Sequence, residues 1–228
     1  MKTRLLGALA LLVPSCTSPT APIELDALAQ DLAAGRVAAA EVLVAPEWQV
    51  LRREESFRLL MRDHAPVGDV RLDPPEEPGV PLRIEGRITD TAGAPLAGVG
   101  LYVYHTDRDG LYAPGESPDD GERSPRLYGF LRTDAGGRYR VRSVLPGGYA
   151  GHDDAIPHVH FALHAPGYER TRGSGPPSLY FGDRVTMKPE YRAEIDLDGG
   201  WIASPEPDAD GVVRCTYDWV LRRGAETR

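Results

Sequence analysis

Cysteine is nearly absent from this sequence, with two residues in 228, Cys16 and Cys215. A disulfide-stapled framework is excluded, because such scaffolds need several cysteine pairs. Basic residues are in deficit: 26 Lys and Arg stand against 34 Asp and Glu, a formal net charge of −8. That balance argues against a nonspecific nucleic-acid binder, which needs clustered cations to neutralise phosphates. No run of about eighteen apolar residues exists, so the chain is not a polytopic membrane protein. No internal repeat suggests a solenoid. Phenylalanine (4) and tryptophan (3) are scarce, while tyrosine (10) is not. What is present in quantity is apolar side chain, at 41% of residues, and turn-formers, with 25 Gly and 21 Pro. The first is enough to bury a core, and the length suits one domain with an appended arm.

The N-terminus reads as an address. Lys2 and Arg4 precede a nine-residue apolar run over 5–13, too short to cross a bilayer but suited to a signal peptide. The run ends at Pro14-Ser15-Cys16, which resembles a bacterial lipobox, although Pro14 departs from the usual pattern. The resemblance implies a signal peptide over residues 1–15, acylation of Cys16 and a tether over 16–24. It also implies an extracytoplasmic, membrane-anchored location. An ordinary cleaved signal with an unmodified Cys16 is the alternative. The two cysteines could form one disulfide in an oxidising compartment, but if Cys16 carries lipid Cys215 is left single, and its strand-like context (VVRCTY) predicts a buried, inert thiol.

Residues 25–80 read as an N-terminal arm with short helices. Apolar residues fall at helical spacing over 25–34, and 52–64 places Phe57, Leu60 and Met61 on one side. The segment DPPEEPGV at 73–80 is a Pro-rich break. From residue 81 onward, β-branched and aromatic runs alternate with Gly, Pro and Asp turns. Strands are predicted over 82–89, 98–105, 139–144, 158–163, 191–196 and 212–221. The fold class expected for residues 81–228 is mostly β: an antiparallel β-sandwich carrying a short helical N-terminal arm.

Four side chains carry the chemistry. Asp109-Gly110-Leu111-Tyr112 and Pro146-Gly147-Gly148-Tyr149 each end a glycine turn on a tyrosine, and Pro157-His158-Val159-His160-Phe161 follows. Side chains two apart on a strand share a face, so His158 and His160 can bite one ion; equally, they can be two half-exposed polar residues. A phenol with a pKa of about 10 is a poor ligand at neutral pH unless a cation stabilises the phenolate. Phenolate is hard and anionic and suits Fe(III). Two tyrosinates, two neutral imidazoles and one hydroxide would neutralise a ferric ion, which a low-dielectric pocket tolerates.

The ordered series resembles the intradiol ring-cleavage dioxygenases, the catechol 1,2- and protocatechuate 3,4-dioxygenase family. It runs through GRITD at 86–90, GAPLAG at 93–98, VYHTDRDGLY at 103–112, RTDAGGRY at 132–139, LPGGY at 145–149, HVHF at 158–161 and LYF at 179–181. The resemblance implies a non-haem Fe(III) cofactor held by Tyr112, Tyr149, His158 and His160. Tyr112 and His160 would be the equatorial ligands, and Tyr149 and His158 the axial pair. It further implies a catecholic substrate that displaces Tyr149, O2 as co-substrate and a muconate-type diacid as product. Members are commonly oligomeric, and the arm offers an apolar helical face for a homo-oligomer or for capping the sandwich. No nucleic acid partner is implied.

The sequence departs from the family in places. The Arg usual three residues before the first histidine is Ala155, and the Gln usual before Leu-Tyr-Phe is Ser178. His152, Asp153 and Asp154 occupy a shortened linker. Arg170 and Arg172 follow the histidine strand and read as loop residues; His164 reads as a rim residue. Tyr102, Tyr104, Tyr128, Tyr139 and Tyr180 read as structural tyrosines of a β-sandwich. Residues 86–103 also resemble transthyretin-like or carboxypeptidase-regulatory-like modules. That reading implies a non-catalytic binding unit and needs no iron; the absent Arg also leaves a divergent iron site with lost activity as a third alternative.

Overall fold

A computed structural model describes residues 25–52, 54–113, 115, 125–152, 155–170, 178–182, 200–202 and 205–224. The signal, the lipobox and the whole tether, together with the strand expected at 191–196, lie outside the described residues. No described helix is long and apolar enough to cross a membrane.

The arm contains α1 (Leu25–Ala33), α2 (Ala39–Val44), a 3-10 turn (Pro46–Leu51) and α3 (Glu55–Asp63). Leu28 and Leu32 in α1, and Phe57 and Met61 in α3, are buried pairs one helical turn apart. Gly35, at φ 66°, follows the end of α1, where a left-handed residue terminates a helix without a β-carbon clash.

Eleven strands follow among the described residues: β1 (Asp69–Arg71), β2 (Pro81–Asp90), β3 (Gly100–His105), β4 (Leu127–Arg132), β5 (Arg138–Val144), β6 (His158–His164), β7 (Tyr168–Arg170), β8 (Ser178–Phe181), β9 (Gly200–Ile202), β10 (Val213–Thr216) and β11 (Trp219–Arg223). They form two sheets. One runs β1-β5-β2-β11-β7, with β10 also on β2; the other runs β4-β3-β6-β8-β9. Leu82, Ile84 and Val141 of the first face Val103, Val159 and Phe161 of the second in one apolar cluster, which also takes in Leu28, Phe57 and Met61 of the arm. The sandwich expected from the sequence is present, with a difference in pairing. β1 on β5, β10 and β11 on β2, and β9 on β8 are parallel. Parallel neighbours need long connections, and each of these pairs has one, so the sheets are mixed rather than antiparallel throughout.

The single strand expected over 212–221 is two. Tyr217 N–H donates to the Glu85 carbonyl, and the Asp218 carboxylate accepts from Arg87 N–H at 2.7 Å. A side chain thus replaces a backbone partner, and the ladder resumes in β11 with unchanged register on β2. Cys215 in β10 is half-buried rather than buried, and desolvation pushes its thiol up to about 12, which disfavours the reactive thiolate.

His105 sits between the sheets, fully buried. Its Nδ1 donates to the Thr106 carbonyl, so its Nε2 accepts from the Ser143 hydroxyl at 2.7 Å. Burial lowers its pKa from 6.5 to about 4. Between those values an unfolded chain binds a proton that the native one refuses, so stability is full above pH 6.5 and erodes as pH falls toward 4. The loss contributed by His105 should be on the order of 3 kcal/mol. Melting temperature followed against pH should fall through this window, and His105→Gln should flatten the slope. An unchanged slope would refute the assignment.

Candidate metal centre

The two glycine turns build the site by locking onto each other. Asp107 closes the first turn: its carboxylate accepts from Asp109 N–H and Leu111 N–H, each at 3.0 Å. Its backbone carbonyl accepts from Gly147 N–H at 2.8 Å, across to the second turn. Ala150 N–H returns a bond to the Gly110 carbonyl at 3.1 Å, and the Thr106 hydroxyl donates to the Gly147 carbonyl at 2.8 Å. Gly110 is left-handed (φ 81°), and a β-carbon on it would collide with the Gly148 carbonyl. A β-carbon on Gly148 would collide with the Ala155 carbonyl. The glycines therefore permit backbone-to-backbone contact between the turns. That contact projects Tyr112 and Tyr149 toward one point.

That point lies on the outer face of the second sheet. Leu101, Val103 and His105 of β3 point inward, so Tyr104 points outward, in register with His160 of β6. His158 shares the face two residues away. The sequence-predicted quartet is brought together. Tyr112 Oη lies 3.0 Å from both Tyr149 Oη and His160 Nε2. Tyr149 Oη lies 2.9 Å from His158 Nε2 and 3.3 Å from His160 Nε2. The two Nε2 atoms are 2.9 Å apart.

Hydrogen bonding does not account for this crowding. His158 Nδ1 donates to the Ile156 carbonyl at 2.7 Å, so its Nε2 is a bare lone pair when the ring is neutral. Burial depresses both imidazoles, His160 to about 3 with a further contribution from His158, so neutral rings are favoured. Three protons at most remain, two phenolic and one on His160, for five short contacts. Lone pairs therefore face each other unless a cation lies among them. Donor separations of 2.9–3.3 Å are those of N and O ligands sharing an ion at about 2.0–2.2 Å. Among the described residues, no group of three or more His, Cys, Asp or Glu could hold a metal. An ion at this point therefore relies on the two tyrosines, and an oxygen-rich anionic donor pair fits Fe(III).

The surroundings include residues the sequence reading did not assign to the site. Ser178 Oγ meets His160 Nδ1 at 3.0 Å and fixes that ring from behind. Tyr104 stacks on His160 (centroids 4.6 Å apart), and Tyr180 tilts against His158 at 5.1 Å. Both tyrosines, read from sequence as structural, line the centre; only the strand register β3–β6–β8 reveals it. Tyr139 does serve the core: its hydroxyl donates to the Tyr217 carbonyl and accepts from Trp219 Nε1. Ala155 packs beside Gly148 and brings no charge. His152 is exposed in the turn after Tyr149, and His164 is exposed at the far end of β6. Arg170 belongs to β7 in the other sheet. Arg172, Asp153 and Asp154 lie outside the described residues. Arg126 is committed to Glu77 at 2.6 Å and Asp107 at 3.5 Å.

A sequence profile of the dioxygenases matches residues 62–222. The chain belongs to the intradiol ring-cleavage dioxygenase family. Catechol 1,2-dioxygenase 2 of Acinetobacter lwoffii is 34% identical over 125 residues, 46% of this chain and 44% of that one. Hydroxyquinol 1,2-dioxygenase of Rhodococcus opacus is 33% identical over 171 residues, covering 63% of this chain and 54% of the relative. This family member thus spans about half the length of these curated relatives. The solved catechol 1,2-dioxygenase of Pseudomonas arvilla C-1 shares the fold. Its TM-score is 0.53 at 23% identity, over 89% of this chain and 76% of that one.

Proposed function

We propose that this chain is a non-haem ferric dioxygenase that opens a catechol-type ring between its two hydroxylated carbons, consuming O2 and releasing a muconate-type diacid. The observation that carries this reading is the convergence of four donor atoms with too few protons to bond one another. Tyr112, Tyr149, His158 and His160 would hold the ion. When bound, Fe(III) would bind the catechol oxygens and activate the ring toward O2. Tyr149 Oη, within 3.3 Å of the other three donors, is placed to take a proton from an arriving catechol hydroxyl. Ser178 and the Ile156 carbonyl hold the imidazoles in orientation, and the Tyr104 and Tyr180 rings flank them with aromatic surface. Ala155 offers no cation to negative charge developing on the ring, so turnover should favour catechols whose own substituents stabilise that charge. The N-terminal sixteen residues support an exported, lipid-anchored location, which would place the substrate outside the cytoplasm.

Metal analysis and a visible spectrum of the purified full chain test the reading. The expected result is about one iron per chain, a phenolate-to-ferric absorption band, and oxygen uptake with catechol or hydroxyquinol. A preparation that stays colourless and iron-free after ferric reconstitution would overturn it in favour of a non-catalytic β-sandwich module.

A further inference from the structure

The outer face of the other sheet carries a charge pattern that the ring-opening reading does not use. Arg71 of β1 is in register with Arg142 of β5, Arg142 with Arg83 of β2, and Arg83 with Arg214 of β10. Four arginines thus form one lateral row across four hydrogen-bonded strands. Neighbouring strands lie about 4.8 Å apart, so the row extends roughly 14 Å. Like charges directly opposite one another destabilise a sheet. The row two residues along shows the ordinary solution, because Asp69, Arg140 and Glu85 alternate in sign across the same strands. The arginine row departs from that solution in a chain whose overall charge is −8.

The row borders a shallow cavity of about 300 Å³ lined by all four arginines. The carboxylates around it are mostly committed. Asp73 lines the cavity but is bonded to Arg71 at 2.7 Å, and Glu77 lines it but is bonded to Arg126 at 2.6 Å. Asp69 takes Arg142 at 2.7 Å, and Asp208 and Asp210 take Arg214 at 2.7 and 3.1 Å. Arg83, in the middle of the row, is the exception. Its one ion pair among the described residues is a 3.9 Å approach to Glu85, whose oxygen is held by Arg140 at 2.8 Å. All four guanidinium side chains remain between a third and a half exposed, so an incoming anion can reach them.

We propose that this row is an oxyanion-binding site centred on Arg83, which takes a ligand carrying two or more phosphate groups. Arg83 can take one phosphate group in bidentate fashion, and a second group would exchange with the carboxylates now paired to Arg142 or Arg214, one strand away on either side. The site lies across the sandwich from the four-donor centre and does not depend on the dioxygenase reading. Phosphates of this kind occur free in solution or as the headgroups of an anionic lipid surface, and the two sources can be separated by experiment.

The test titrates the full chain with sodium tripolyphosphate by calorimetry, and in parallel sediments it with vesicles of phosphatidylglycerol and phosphatidylcholine or of phosphatidylcholine alone. Saturable tripolyphosphate binding that Arg83→Gln weakens at least tenfold, and Arg83→Lys weakens less, supports a free phosphate ligand. Sedimentation that needs phosphatidylglycerol and is lost in Arg83→Gln supports a headgroup. Because the row is crowded with like charge, Arg83→Gln should melt no lower than the parent without ligand, and should lose the melting-temperature rise that tripolyphosphate gives the parent. If Arg83→Gln binds both probes as the parent does, or if the parent binds neither, the proposal is overturned. A variant that melts well below the parent yet keeps the phosphate-induced rise shows that the arginine is structural, which also overturns it.

Discussion

Replacing His160 by Ala should leave a folded protein with almost no iron and no phenolate-to-ferric colour, and its oxygen uptake should fall more than a hundredfold. Removing only an outer partner of a metal-binding histidine typically costs about ten- to a hundredfold in affinity or activity. Removing the donor atom itself should cost more. His160 Nε2 touches three of the other donor positions, Tyr112 Oη, Tyr149 Oη and His158 Nε2, at 3.0, 3.3 and 2.9 Å. Without metal, those contacts press lone pairs together. The iron-free His160→Ala protein should therefore melt no lower than the iron-free parent, while the iron-loaded parent melts above both, because a ligand that binds only the native state stabilises it. Metal content, the visible spectrum and three melting curves decide the matter. Iron retention at the parental level would remove His160 from the centre.

Gly110→Ala should be the most damaging small substitution away from the donor atoms. It combines a left-handed backbone, φ 81°, with a β-carbon directed into the Gly148 carbonyl. The conformational part alone is worth about 1–2 kcal/mol. Displacing a neighbouring backbone adds to this, and a total of about 4 kcal/mol is expected. For a chain of this size that corresponds to a fall in melting temperature of roughly 8–16 °C. The colour should be lost as well, since parting the two turns moves Tyr112 from Tyr149. Gly93→Ala supplies the control: its φ is 82°, but nothing lies within 4 Å of the added carbon. It should cost only the conformational part and keep its colour. Equal losses in the two variants would show that contact between the turns contributes little.

The parts of the molecule that sequence reasoning reached are those with local signals. β2, β3, β5 and β6 fall where alternation and flanking turns place them, and α1 and α3 where apolar residues recur at one-turn spacing. The four convergent side chains, Tyr112, Tyr149, His158 and His160, were singled out through the glycine turns and the His-x-His pair. β4 escaped for a physical reason. Leu127 to Leu131 are all buried: Gly129 faces β1 across the sandwich, while Tyr128 and Phe130 on the outer face lie under Arg58 of α3 and beside Tyr102, so no alternation is left to read. Gly129 within it makes room for Leu72 and Val70, where a β-carbon would collide with Leu72. α2 is too short, at six residues, to show a period. The partners of the centre escaped for another reason. Tyr104, Ser178 and Tyr180 reach His160 and His158 only through strand register, a nonlocal property. The parallel pairings that make the sheets mixed are nonlocal in the same way.

The placement of His158 and His160 on alternate positions of β6 has a consequence for assembly. Were β6 to zip against β3 one step out of line, both imidazoles would turn into the oily interior and Val159 and Phe161 would turn out to water. A mis-zipped molecule would lose half of the donor set at once rather than by degrees. In a refolding mixture, pigment would thus mark the correctly aligned molecules and no others.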